Sequence, residues 1–115
     1  MTELIDIFKN LGYDGKYFRQ GSLSNNNWPD SFFTFWNYNS SAISYRDNEL
    51  KKYSEDYMVY FYTNDISILY TEMDRFINAA KKAGFIIQGK SYDIPSGRYD
   101  YFGRIVNIKI IKEEN

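Results

Sequence analysis

The chain has 115 residues, room for one domain with one modest core, because a second core would leave each half too small to hold together. Fourteen Lys plus Arg against fifteen Asp plus Glu give a net charge of -1, which excludes the broad positive field of a dedicated nucleic-acid binder. With neither Cys nor His, the sequence excludes disulfides, thiolate and imidazole metal sites, and the Ser-His-Asp and Cys-His nucleophile systems.

From the N-terminus, Thr2 to Leu11 predicts a short helix. Thr2 can cap it, Glu3 and Asp6 suit the positive end of the helix dipole, and Leu4, Ile7, Phe8 and Leu11 fall on one stripe. Gly12 should end it, and Tyr13 to Asp30 reads as loop, with a short strand able to form around Lys16 to Arg19. Ser31 to Tyr38 is a strand, followed by a turn at Asn39-Ser40-Ser41 and a returning strand from Ala42 to Tyr45. The charged stretch from Arg46 to Glu55 predicts a turn or excursion before a third strand at Tyr57 to Thr63.

Asn64 and Asp65 can cap a long helix from Ile66 to Ala83, in which Leu69, Met73, Phe76, Ile77 and Ala80 recur at steps of three and four. Lys81 and Lys82 suit its negative end and Gly84 should close it. Phe85 to Gln88 is a short strand, Lys90 to Gly103 a polar loop around Pro95 and Gly97, and Arg104 to Ile111 the last strand. The order α-β-β-β-α-β-β predicts an α+β fold, a two-layer sandwich of a mostly antiparallel sheet with two helices, in a single domain spanning residues 1–115.

Aromatic content of 20%, with twelve Tyr and nine Phe, is the unusual feature of the composition. A strand buried on one face should alternate apolar with polar residues. In "SFFTFWNY" the rings Phe33 and Phe35 point one way and Phe32, Trp36 and Tyr38 the other; "YMVYFYT" repeats the pattern. Two helices cover one face of the sheet, so the second aromatic face needs a cover of its own, and a neighbouring subunit is the simplest one.

The chemical motifs are weak. Gly84 to Ser91, "GFIIQGKS", fits the phosphate-loop pattern at every fixed position, but that loop needs a strand before it and a helix after it. Here a helix precedes, FIIQ favours a strand, and Pro95 and Gly97 break any helix after Ser91. No catalytic constellation and no cofactor are expected, and the chain is not expected to be an enzyme. Lys90, Arg98 and Arg104, interleaved with Tyr92 and Tyr99, could meet phosphate, an acidic neighbour or single-stranded nucleic acid. The start MTELIDIF lacks the basic and apolar runs of a signal peptide, and no apolar run nears the ~20 residues of a membrane span. A soluble protein used or assembled in the cytoplasm, with no membrane partner, is the expectation.

The segments "SFFTFWNYNSSAISYRDNE" and "YMVYFYTND", the helix ending "KKAGFIIQGKSYDIPSG", and the closing "YFGRIVNIKI" together resemble the small tail terminator, or tail-completion, proteins of tailed bacteriophages and prophages of Gram-positive bacteria. The likeness runs from about Pro29 to Ile110 and lies in patterned segments and their order. It implies an α+β subunit of a homo-oligomeric ring, usually sixfold, at the neck of the virion, assembled in the host cytoplasm. Such a ring would cap the tail tube protein and join it to the head-side connector or stopper, with DNA only as passing cargo. On that resemblance Phe33, Phe35, Trp36, Tyr38, Tyr45 and Tyr60 become subunit-interface residues. The Gly89 to Gly103 loop, with Lys90, Tyr92, Arg98, Tyr99 and Arg104, becomes the partner-facing or lumen segment. A monomeric binding module of a mobile element, taking nucleic acid or inhibiting a protein, is the second class of function the sequence admits.

Overall fold

A computed structural model describes residues 2–23, 27–46 and 49–113. Helix α1 (Thr2–Asn10) is followed by strands β1 (Tyr17–Arg19), β2 (Ser31–Arg46) and β3 (Glu49–Thr63), helix α2 (Ile66–Lys82), and strands β4 (Ile86–Ile94) and β5 (Phe102–Glu113). The strands form one sheet in the order β1-β2-β3-β5-β4. β1 runs parallel to β2 and every other pairing is antiparallel. The fold is therefore α+β, in the element order the sequence predicts.

Both helices end as their glycines predict. Gly84 takes φ 95°, which lets Phe85 N–H reach back to Ala80 O (2.9 Å) and Gly84 N–H to Lys81 O (3.1 Å). Gly12 does the same for α1, with Tyr13 N–H on Phe8 O at 2.9 Å. At the other end of α2, Asp65 accepts from Ser67 N–H at 3.0 Å, satisfying one of the free amides of the first turn.

The helices lie on one face of the sheet and close a continuous core there. Phe8 of α1 and Phe76 of α2 sit 5.0 and 5.4 Å, centroid to centroid, from Phe33, which lies 4.8 Å from Phe61. Tyr57, Val59, Val106 and Ile108 continue the same face and are fully buried.

Three stretches predicted as turn or loop are wholly or partly strand instead. Asn39-Ser40-Ser41 makes no turn: β2 runs through it to Arg46, and β3 returns from Glu49 through the charged stretch expected to be a turn. Residues 47–48, part of that charged stretch, lie outside the described residues. Polar side chains hold the strand where apolar packing would not. Asn37 Nδ2 donates to Asn39 O and Asp56 O, and Asn39 Nδ2 donates to Asp56 Oδ2, across an irregularity between Asn37 and Asn39. Likewise β4 does not stop at Gln88. Gly89, at φ 77°, sits in a register break between Gln88 and Tyr92, and the strand resumes to Ile94. The polar loop thereby shrinks to residues 95–101, and Lys90 and Tyr92 are strand residues. Ser91 also lies in β4, so the phosphate-loop pattern spans a helix end and a strand, without the helix its mechanism needs.

Candidate functional site: the sheet face opposite the helices

Alternation puts Phe32, Thr34 and Trp36 of β2, Asp56, Met58, Tyr60 and Tyr62 of β3, Ile105, Asn107 and Lys109 of β5, and Gln88 and Tyr92 of β4 on the face away from the helices. This face has two halves.

One half is closed by the chain itself. Phe32, Tyr62 and Tyr101 form a second buried cluster, with Trp28, Leu23, Phe18 and Ile94 against it. Trp28, from the loop before β2, stands edge-on to Tyr101 at 5.0 Å and to Phe32 at 5.5 Å. The Tyr101 hydroxyl donates to Pro29 O at 2.8 Å, tying the two loops together. Arg98 seals the top, its guanidinium carbon 4.9 Å from the Trp28 ring centre and 5.0 Å from that of Tyr101. Beneath Trp28 a cavity of about 180 Å³ is lined by Gln20, Leu23, Thr34 and Tyr62 among others.

The other half is bare. Trp36 (46% exposed), Tyr38, Ile86, Tyr92 and Ile111 present apolar surface there, with half-buried Met58 and Tyr60 between them. Beyond it the far end of the β2–β3 hairpin projects, with Ile43 and Tyr45 (67% exposed) open to solvent, in a molecule 54 Å long and 26 Å wide. These side chains form an apolar strip interleaved with Gln88, Asn107 and Lys109.

A polar group sits within the strip. Asp56 is 5% exposed; its Oδ2 accepts from Asn39 Nδ2 at 2.9 Å, while its Oδ1 accepts no hydrogen bond and lies 3.8 Å from Lys109 Nζ. Asn107 Oδ1, buried one register step away across β3 and β5, also accepts none. Desolvation, and then the carboxylate of Asp56, push the Tyr38 hydroxyl above its ordinary pKa.

Trp36, Tyr38, Tyr45 and Tyr60 are therefore on or beside the bare face. Phe33 and Phe35 are not: both point to the helices and are buried in the chain's own core, so neither has surface to give a neighbour. Lys90 and Tyr92 are exposed on β4, and Tyr99 at the loop tip is fully exposed. Arg98 is folded back over Trp28 rather than projecting. Arg104 is engaged within the chain as well, donating to Asp93 Oδ1 at 2.6 Å and to Ser91 Oγ at 3.0 Å beneath the Tyr70 ring. Asp56 was missed, although it has the parity of Met58 and Tyr60 and so had to fall on their face. The Trp28 lid was missed too, since nothing in a loop sequence says which face it folds over.

Among the described residues no group of three or more acidic side chains is gathered as for a metal ion, and no helix is long and apolar enough to cross a membrane. A second depression of about 390 Å³, between the start of α2 and the β4–β5 loop, is mostly apolar. The sequence matches no protein-family model and no curated protein.

Proposed function

We propose that the chain is a structural subunit of a homo-oligomeric ring, a tail-completion protein at the head-proximal end of a phage tail. In this role it caps the tail tube and joins it to the head-side connector, and DNA passes through without being read. Its place is the neck of the virion, and its work is assembly rather than catalysis. The observation that carries the reading is the bare half of the sheet face, where Trp36, Tyr38 and Tyr92 stand exposed beside a projecting hairpin that carries Ile43 and Tyr45. The resemblance of the β2, β3 and β5 segments and of the stretch from the end of α2 through β4 to tail terminators supplies the identity of the ring.

Light scattering of the purified protein across a concentration series, at low and high salt, tests it. A discrete species of about six protomers is expected, because a closed head-to-tail contact ends in a ring rather than a filament. An apolar contact should hold it with little weakening by salt. A strict monomer at every concentration overturns the reading.

A further inference from the structure

The bare half of the face is incomplete in a specific way. Asp56 Oδ1 and Asn107 Oδ1 are both acceptors, both shut off from solvent, and both without a donor. They are diagonal neighbours, since Asp56 pairs with Lys109 and Met58 with Asn107, and Trp36 pairs with Met58 on the other side. The nearest cation, Lys109 Nζ at 3.8 Å, stands beyond hydrogen-bond distance of the carboxylate. Two acceptors on the same face as an exposed Trp, with Met58 between Trp36 and Asn107, fit a planar group with several N–H donors, a guanidinium, better than the point charge of a lysine.

The chain carries such a group elsewhere. Among the described arginine side chains, Arg75 is paired with Glu72, Arg98 with Asp100 and Arg104 with Asp93. Arg19 ends β1 exposed and makes neither an ion pair nor a hydrogen bond through its side chain. It lies on the outermost strand at one margin of the sheet and pairs with Phe35, whose parity is that of the helix face and not of the face that holds Asp56. Donor and acceptors thus occupy different patches, which a head-to-tail contact between copies requires.

We infer that Arg19 of one copy inserts between Asp56 and Asn107 of the next, against Trp36, and that this contact fixes the register of the subunits. The half-buried Lys109 side chain swings aside as the guanidinium enters. The inference rests on the ring reading and names the polar anchor within it.

The test is light scattering of wild type, Arg19→Glu, Arg19→Lys and the charge exchange Arg19→Asp/Asp56→Arg. Arg19 is exposed, so its variants should fold as wild type does. Arg19→Glu is expected to raise the assembly midpoint concentration by roughly 30-fold or more, as loss of one partner of a buried charge pair does. Arg19→Lys should recover part of it and the exchange most of it. Because Asp56→Arg can fail to fold by itself, a second readout is the Trp36 indole and Asn107 amide resonances, which should move on assembly in wild type and stay put in Arg19→Glu. A wild type that forms rings while Arg19→Glu assembles within about twofold of it overturns this inference and leaves the ring reading standing. A monomeric wild type removes both.

Discussion

The two faces of the sheet carry similar aromatic side chains and meet different fates. On one, Phe33, Phe61, Val106 and Ile108 are sealed under α1 and α2. On the other, Phe32 and Tyr62 are sealed by loops, and Trp36, Tyr38 and Tyr92 are not sealed at all. Neighbouring residues of one strand, Phe35 and Trp36, fall on opposite sides of that divide. Burial in this chain is thus decided less by hydrophobicity than by which element returns over each row of the sheet. A ring on the helix face maintains the fold, and a ring on the bare half is free to serve a contact.

That contrast can be broken by mutation, and the largest effect is expected on the helix face. Phe33→Ala removes a fully buried ring in contact with Phe8, Phe61 and Phe76, and should destabilise the chain by about 3–5 kcal/mol in urea unfolding. On the loop-sealed half, Gly103→Ala is the sharper test. Its Cβ would lie 2.9 Å from Tyr62 Cε1 and 3.1 Å from Ile94 O, one a buried ring and the other main chain. A loss of about 1–3 kcal/mol is expected, with a disturbed Tyr62 signal in near-ultraviolet circular dichroism.

A smaller effect should come from pH. Burial pushes the Glu72 carboxyl up, but hydrogen bonds from Arg75 (2.7 Å) and the Tyr13 hydroxyl (2.5 Å) outweigh it and hold the group below its ordinary value. At the start of α1, Glu3 is held down to about 2, chiefly by its own main-chain N–H, with burial opposing and Lys112 among the smaller helpers. A depressed carboxylate contributes stability that is complete above its unfolded value and lost as pH falls through the folded one. Stability should therefore decline between pH 4.5 and about 2. Glu72→Gln should flatten its share of that decline, about 1 kcal/mol or less because the Arg75 partner is half exposed.

The smallest effect on the isolated chain belongs to the bare half. Trp36→Ala should change unfolding stability by less than about 1 kcal/mol, because nearly half the ring is already in solvent. In light scattering the same variant should abolish or greatly weaken assembly. If Trp36→Ala unfolds the chain as Phe33→Ala does, the distinction between the two faces is lost.

The α+β class, the element order, α2 with its Asp65 cap and Gly84 stop, and the placing of rings on both faces of the aromatic strands were all legible in the sequence. Each rests on local physics: side-chain periodicity, helix-end hydrogen bonding, and the strict alternation of a strand. Strand ends were misread where polar residues take strand conformation. Asn37 and Asn39 hydrogen-bond across the sheet, and Gly89 lets β4 continue past an irregularity; such pairings depend on the partner strand. Likewise, alternation placed Phe32, Trp36 and Tyr62 on one face, but only the return of the Trp28 and Tyr101 loops decided which of them would be covered. Asp56 shows the same limit. Its parity was readable, yet its burial between Asn39 and Lys109 arises because β2 and β5 meet β3 from opposite sides, a long-range pairing that spacing along the chain does not encode.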